Sequence, residues 1–336
     1  MNKSFNTFCT LFDSNYLSRG LLMFRSLKRH FPDAELFVFT FDDLAFNILQ
    51  DLQEPGIIPI SLEEFEDPEL LAVKPTRSRG EYCWTSTSST IQFVIQKKQK
   101  THCTYLDADL YFYHNPQVLL HELSSDKHVM ITAHNYTKNY DQSKVSGKYC
   151  VQFMYFDNSE QASQVLQWWR TRCLEWCYNR IEDGKFGDQK YLDDWTTRFS
   201  GVHELINKGG GMAPWNIQQY KNFQIKEESL KATYLPDNKE IQAVFYHFHG
   251  VKFYQNNTFL PAPNTYKISR EVKSKIYQPY TLELQALAAE LKTRYPQLNA
   301  LGALNAKNYL SDRFLKGQWA YIRSNWLFPI FGPWLN

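Results

Sequence analysis

The sequence predicts an α/β fold, a mixed and mostly parallel sheet flanked by helices, with a helical C-terminal extension. Two observations carry that prediction. Short strand-like apolar runs alternate with helix-like stretches from residue 7 to residue 156, a pattern that builds largely parallel sheets covered on both faces. The chain is also long enough: 336 residues at 43% hydrophobic and 21% charged can bury a sizeable core without disulfides or a structural metal.

The elements follow in order. TFCTLF (7–12) reads as a buried strand. Leu17, Gly20, Leu21, Phe24 and Leu27 then recur at helical spacing up to Phe31 and Pro32. ELFVFTF (35–41) is a second strand, closed by Asp42 and Asp43; a further helical stretch leads to a short third strand, GIIPISL (56–62). A helix over about 82–97 precedes the strand THCTYLDADLYFY (101–113), and 128–134 and 149–156 supply two more strands. An amphipathic helix over 160–180 places Val165, Trp169, Cys173 and Trp176 on one face. After it come GKFGDQKYLDDW (184–195), the run Gly209-Gly210-Gly211 leading to APWN (213–216), and the strand VFYHFHG (244–250). Residues 1–265 are expected to form one domain and 266–336 a helical extension.

Composition excludes several functions. A net charge of +2 offers no basic excess for a nucleic-acid partner. The amino terminus lacks the continuous apolar stretch of a secretory signal, and no run approaches the ~20 residues of a membrane span. The six cysteines have no CxxC or zinc-knuckle spacing and read as reduced thiols, so a cytoplasmic location is expected.

Three motifs carry chemistry. Asp107-Ala-Asp109 lies in an apolar strand context; in a strand both carboxylates project to one face. Two carboxylates at the end of a buried strand repel each other and resist desolvation, so they call for a cation. Hard oxygen donors suit Mg²⁺ or Mn²⁺, which would also bridge a diphosphate. His247-Phe248-His249-Gly250 offers two imidazoles, either of which could complete that coordination. Gly187-Asp188-Gln189 supplies a carboxylate and an amide after a glycine, and Asp188 could equally cap the helix expected after it.

Taken together, these pieces resemble the glycogenin and bacterial lipopolysaccharide galactosyltransferase group, retaining glycosyltransferases of the Rossmann-like GT-A fold. The resemblance runs over residues 7–253: Tyr16, Gly20 and Ser26-Leu27-Lys28, then Cys83-Trp84-Thr85, the DxD strand, Gly187-Asp188-Gln189, and His247-Phe248-His249-Gly250 with Lys252. LDADLYF, GDQKYLDDW and APWN are shared with uncharacterised bacterial surface-polysaccharide transferases. The sequence departs from the group where Asn-x-Gly is replaced by Cys150-Val151-Gln152-Phe153, and where Phe253-Tyr254 replaces Pro-Trp.

The resemblance implies a hexosyltransferase using a nucleotide diphosphate sugar, a UDP-sugar above all, with Mn²⁺ or Mg²⁺ as cofactor and a glycan or lipid-linked glycan as acceptor. It implies Asp107, Asp109 and His247 as metal ligands, His247 favoured over His249 by position. Asp107 would also bridge to the ribose. Tyr16 is expected to stack on the base, Asp43 to contact base or ribose, and Lys252 and Arg79 to stabilise the departing diphosphate. Asp188 or Gln189 would act at the anomeric carbon. An inverting enzyme with Asp188 as general base, a metal-dependent nucleotidyltransferase and an inactive sugar-nucleotide binding module are the alternatives. Trp319, Trp326 and Trp334, with Lys316 before them and Arg323 among them, point to contact with the inner face of a membrane or to a homodimer interface.

Overall fold

The structure, a computed structural model, describes residues 5–256, 258–310 and 312. Seven strands form the central sheet: β1 (Thr7–Phe12), β2 (Glu35–Thr40), β3 (Ile57–Ile60), β4 (His102–Leu106), β6 (Val129–Ala133), β7 (Tyr149–Asp157) and β8 (Val202–Glu204), with β5 (Leu110–Phe112) lying outside it. Their order is β3-β2-β1-β4-β7-β6-β8. β7 runs antiparallel to both its neighbours, β4 and β6, while the remaining pairs are parallel. The chain builds outward from β1 to β3, then returns to the other side of β1 to lay down β4. That reversal makes the carboxyl ends of β1 and β4 the switch point of the sheet, the place where such sheets bind ligands.

Alternation along the strands sends side chains into two cores. Phe8 and Phe12 of β1 and Leu36 and Val38 of β2 pack under the helices Leu17–His30 and Gln278–Arg294. Cys9, Phe37 and Phe39 face the opposite way, against the helices Arg79–Gln96 and Glu160–Glu175, where Ile91, Val94, Val165 and Trp169 are buried. Both faces are thus covered, which is why the strands read as unbroken apolar runs. The helix Arg79–Gln96 opens with a capping box: the Ser78 hydroxyl accepts from Glu81 N, and the Glu81 carboxylate accepts from Ser78 N. A three-stranded antiparallel sheet of β9 (Tyr220–Lys226), β10 (Ser229–Tyr234) and β11 (Lys239–Gln242) packs on the first core through Phe223, Leu230 and Ala232.

Three local expectations are corrected. The strand expected over 101–113 is broken: β4 ends at Leu106, Asp107–Asp109 form a turn, and β5 pairs antiparallel with β12 (Phe245–His247). The two carboxylates therefore lie on a turn at the strand's end instead of one strand face. The helix expected over 160–180 ends at Glu175. After Asp188 the chain makes only a short 3-10 turn, Gln189–Leu192, and the Asp188 side chain makes no capping hydrogen bond there. The tryptophan-rich segment from residue 313 onward lies outside the described residues. Among the described residues, no helix is long and apolar enough to cross a membrane.

The glycine run is a packing device. Gly209 O accepts from Val244 N and Met212 O accepts from His247 N, each at 2.8 Å, so the run lies along β12. A Cβ on Gly209 would stand 2.0 Å from the backbone oxygen of Gln242. Gly209→Ala should therefore lose about 1–3 kcal/mol in urea denaturation. Gly80→Ala, in open space in the first turn of the helix Arg79–Gln96, should gain about 0.4–1 kcal/mol. Equal effects of the two substitutions would contradict this account.

Candidate active site

The site is built where β4 runs out. Asp107 N donates to Gln152 O at 3.0 Å, tying the turn to β7, and Phe248 N donates to Asp109 O at 2.9 Å, tying it to β12. β12 is itself held against β5, with His247 opposite Leu110. These two ties bring His247 onto the carboxylates: its Nε2 lies 3.0 Å from Asp109 Oδ1 and 3.6 Å from Asp107 Oδ2. The other ring nitrogen, Nδ1, donates to Gln152 Oε1 at 2.8 Å, which orients Nε2 toward the acids. Trp215 packs edge-on against His247 with ring centroids 5.3 Å apart, and its Nε1 donates to His134 O. His249 is exposed and also meets Trp215.

Electrostatics follow from that geometry. Burial works against the charged form of all three groups. Asp109 is nonetheless held down at about 2, because the His247 imidazolium is in contact with it. Burial raises Asp107 to about 6, His247 pulling it back and Asp109 pushing it up. Burial pulls His247 down, yet Asp109 and then Asp107 hold it well above the usual imidazole value. The imidazolium supplies the positive charge that two half-buried carboxylates demand.

Asp188 approaches from another side. Gly187, at φ +53°, turns the chain, its N donating to Tyr178 O, and Trp169 Nε1 donates to Asp188 O at 3.0 Å. Asp188 is buried. Burial first, then the charge of Asp107, push its carboxyl up to about 8. Gln189 Nε2 donates to Ser146 O at 2.7 Å.

The other expected residues lie around this centre. Tyr16, at the start of the helix Leu17–His30, is 40% exposed and within electrostatic reach of Asp109 and Asp107, with the Arg19 guanidinium 4.6 Å from its ring centre. Asp43 is exposed in the first turn of the helix Asp43–Leu52, whereas its neighbour Asp42 caps that helix and binds Ser14. Arg79 pairs with Asp13 at 2.7 Å and Asp42 at 2.9 Å, close to the ends of β1 and β2. Lys252 pairs with Asp312 at 3.0 Å. Among the described residues, Arg79 and Lys252 make no ion pair with Asp107 or Asp109.

Three participants were missed in the sequence. Gln152 stands inside the apolar run YCVQFMYF, where a buried amide needs a polar partner; that was the available signal. Cys150, read as an ordinary reduced thiol, has its sulfur beside Asp107 and His247. Arg19, only 4% exposed, was not singled out in the sequence; its guanidinium lies 4.6 Å from the Tyr16 ring centre and its charge lowers the Asp109 pKa.

The donor set passes a simple test for a divalent ion. One ligand atom each from Asp107, Cys150 and His247 lie within 4.8 Å of one another, Asp109 adds a second carboxylate at His247, and the amide that orients the imidazole is present. The fold is of the GT-A kind, an α/β sheet with an acidic turn at the end of its central strand. The fold is that of the galactosyltransferase LgtC, solved in complex with donor and acceptor sugar analogs: TM-score 0.53, 13% identity, covering 83% of this chain and 95% of that one. In sequence the chain is similar to two uncharacterised proteins of Bacillus subtilis strain 168. YfnD is 29% identical over 297 residues, 86% of this chain and 92% of the relative. YfnF is 27% identical over 306 residues, 89% and 98%. No family model matches.

The raised Asp188 pKa sets a sign for stability. An aspartyl group ordinarily titrates near 3.8, so from pH 4 to 8 the native state keeps a proton that the unfolded chain has lost. Stability then falls as pH rises through that window. In thermal melts between pH 5 and 8.5 the wild-type Tm should fall more steeply than that of Asp188→Asn, whose amide is neutral throughout. Parallel curves would show that Asp188 does not titrate this way.

Proposed function

We propose that this protein is a metal-dependent glycosyltransferase that moves a hexose from a nucleotide diphosphate sugar, a UDP-sugar above all, to a glycan or lipid-linked glycan acceptor of a bacterial surface polysaccharide or lipopolysaccharide, with retention. The single observation that carries this reading is the meeting of Asp107, Asp109 and His247 at the switch point of the sheet. A structural pair of carboxylates would be expected to be neutralised at the surface; these are gathered around one buried imidazole at the sheet's switch point.

In this reading Asp107, Asp109 and His247 hold Mn²⁺ or Mg²⁺, which when bound neutralises charge building on the departing diphosphate. Tyr16 offers its exposed ring to the base, and Asp43 reaches base or ribose. Arg79 and Lys252 sit in ion pairs with aspartates; a diphosphate would compete for the same guanidinium and ammonium groups. Asp188, kept in a buried position next to Asp107, and Gln189, whose Nε2 donates to Ser146 O, are assigned to the anomeric carbon. Residues 1–265 are assigned to the catalytic unit and 266–336 to an extension whose helix Gln278–Arg294 packs in the same core; its tryptophan-rich end is assigned to a membrane surface or to a second copy.

Nucleotide sugars screened with Mn²⁺ by calorimetry should give one donor that binds, and the hit should be hydrolysed or transferred. EDTA should abolish turnover, and Asp109→Asn or His247→Ala should lower it by roughly 10²-fold or more. NMR of the product anomer tests retention. Full activity in EDTA, or no donor binding across the panel, would overturn the reading.

Asp188→Ala should lower kcat far more than it weakens donor binding, since an interaction made at the reacting carbon strengthens only in the transition state. An effect confined to thermal stability would assign Asp188 a structural role instead.

A further inference from the structure

Cys150 differs from the buried cysteines around it. Cys9, Cys103, Cys173 and Cys177 lie within the large apolar core beneath the sheet. Cys150 belongs to a small separate cluster with Ala213 and Trp215 on the site's side. Its sulfur, a carboxylate oxygen of Asp107 and a ring nitrogen of His247 all lie within 4.8 Å of one another. Donors bound to one tetrahedral ion at bond lengths of about 2.0–2.3 Å stand roughly 3.3–3.7 Å apart. Closing the cluster on an ion thus needs side-chain shifts of at most about 1 Å.

The surroundings favour coordination over packing. Cys150 is 5% exposed, and Gln152, two residues along β7 and fully buried, holds His247 Nδ1 so that the imidazole presents Nε2. The Gln152 Nε2 is buried and has no hydrogen-bond partner among the described residues. A residue that needs only to fill space between Ala213 and Trp215 would be served by alanine or valine, with no sulfur presented to an aspartate and a histidine. Adding a thiolate to the carboxylates of Asp107 and Asp109 and the imidazole of His247 makes a softer set than the oxygen donors that suit Mg²⁺ and Mn²⁺.

We propose that Cys150 is a ligand of the cation centre, and that the site takes thiophilic divalent ions of the Zn²⁺, Co²⁺ and Cd²⁺ class with a sulfur bond. The inference rests on the reading of this centre as the cation site of a sugar transferase, and it adds a ligand to it. On binding, the thiol proton passes to solvent as the metal–sulfur bond forms, and the metal keeps its oxidation state.

The test uses the full-length protein, stripped of metal and titrated with Co²⁺ under reducing conditions. Its absorption should show the visible d–d bands together with a thiolate-to-cobalt charge-transfer band in the near ultraviolet. Cys150→Ser should keep the d–d bands and lose the charge-transfer band. In calorimetry the same substitution should weaken Cd²⁺ by roughly tenfold or more relative to Mn²⁺. Co²⁺ bound without the charge-transfer band in the wild type, or an unchanged band in Cys150→Ser, overturns the role of Cys150 while leaving the cation site standing. Failure to bind Co²⁺, Cd²⁺ or Mn²⁺ at all overturns the cation site itself. The wild-type spectrum decides the matter even if the variant does not fold, and Cys150→Ala provides a second variant.

Discussion

Two carboxylates at the mouth of a buried strand are the constraint around which this molecule is arranged. Asp107 and Asp109 follow directly on β4, whose five residues are all buried, so water cannot fully solvate them and their mutual repulsion is only weakly screened. A buried cation is the physical answer, and His247 provides one from a strand more than a hundred residues away. Much of the intervening chain serves that meeting. β5 leaves the main sheet to pair with β12, Gly209 and Gly211 allow the 209–212 segment to lie against β12 and Gln152, and Asn216 holds that segment by donating to Gly211 O and His134 O.

The imidazolium and a metal ion are alternative occupants of the same electrostatic role. With His247 charged, the two acids are balanced internally and the site is compact. A bound divalent ion would bring its own charge and require a neutral imidazole, so ion binding and proton release are linked. Gln152 suits both states: its oxygen accepts from Nδ1 whether or not Nε2 carries a proton, so the ring keeps its orientation as the charge changes.

The sheet topology explains why other polar groups gather at this end. Asp13, Asp42 and Asp107 each sit just beyond the carboxyl end of a parallel strand, β1, β2 and β4 in turn, and Arg79 opens the helix that crosses beneath them, pairing with the first two. Asp188 reaches the same end from a loop after the helix Glu160–Glu175 and is held there by Trp169 and the left-handed Gly187. Its raised pKa is the cost of burying a second negative charge near Asp107 without a cation of its own.

The division between sequence and tertiary structure is sharp. The α/β class, the strands of the parallel half and the helices against them were legible because a two-sided sheet demands long apolar runs and its helices demand apolar stripes, both local patterns. Asp107, Asp109, His247 and Asp188 were legible as polar residues at the ends of such runs. Local pattern could not show that 101–113 breaks at the DxD, since a turn at Asp107–Asp109 and a continuous strand share the same apolar flanks; pairing of β5 with the distant β12 decided it. Nor could it show that Arg19 and Cys150 face the site, or that Arg79 and Lys252 are engaged by aspartates. Each of those depends on contacts between segments far apart in the chain, made only when β12 and β7 close around the end of β4, and a residue's type and near neighbours carry no record of which distant group will stand beside it.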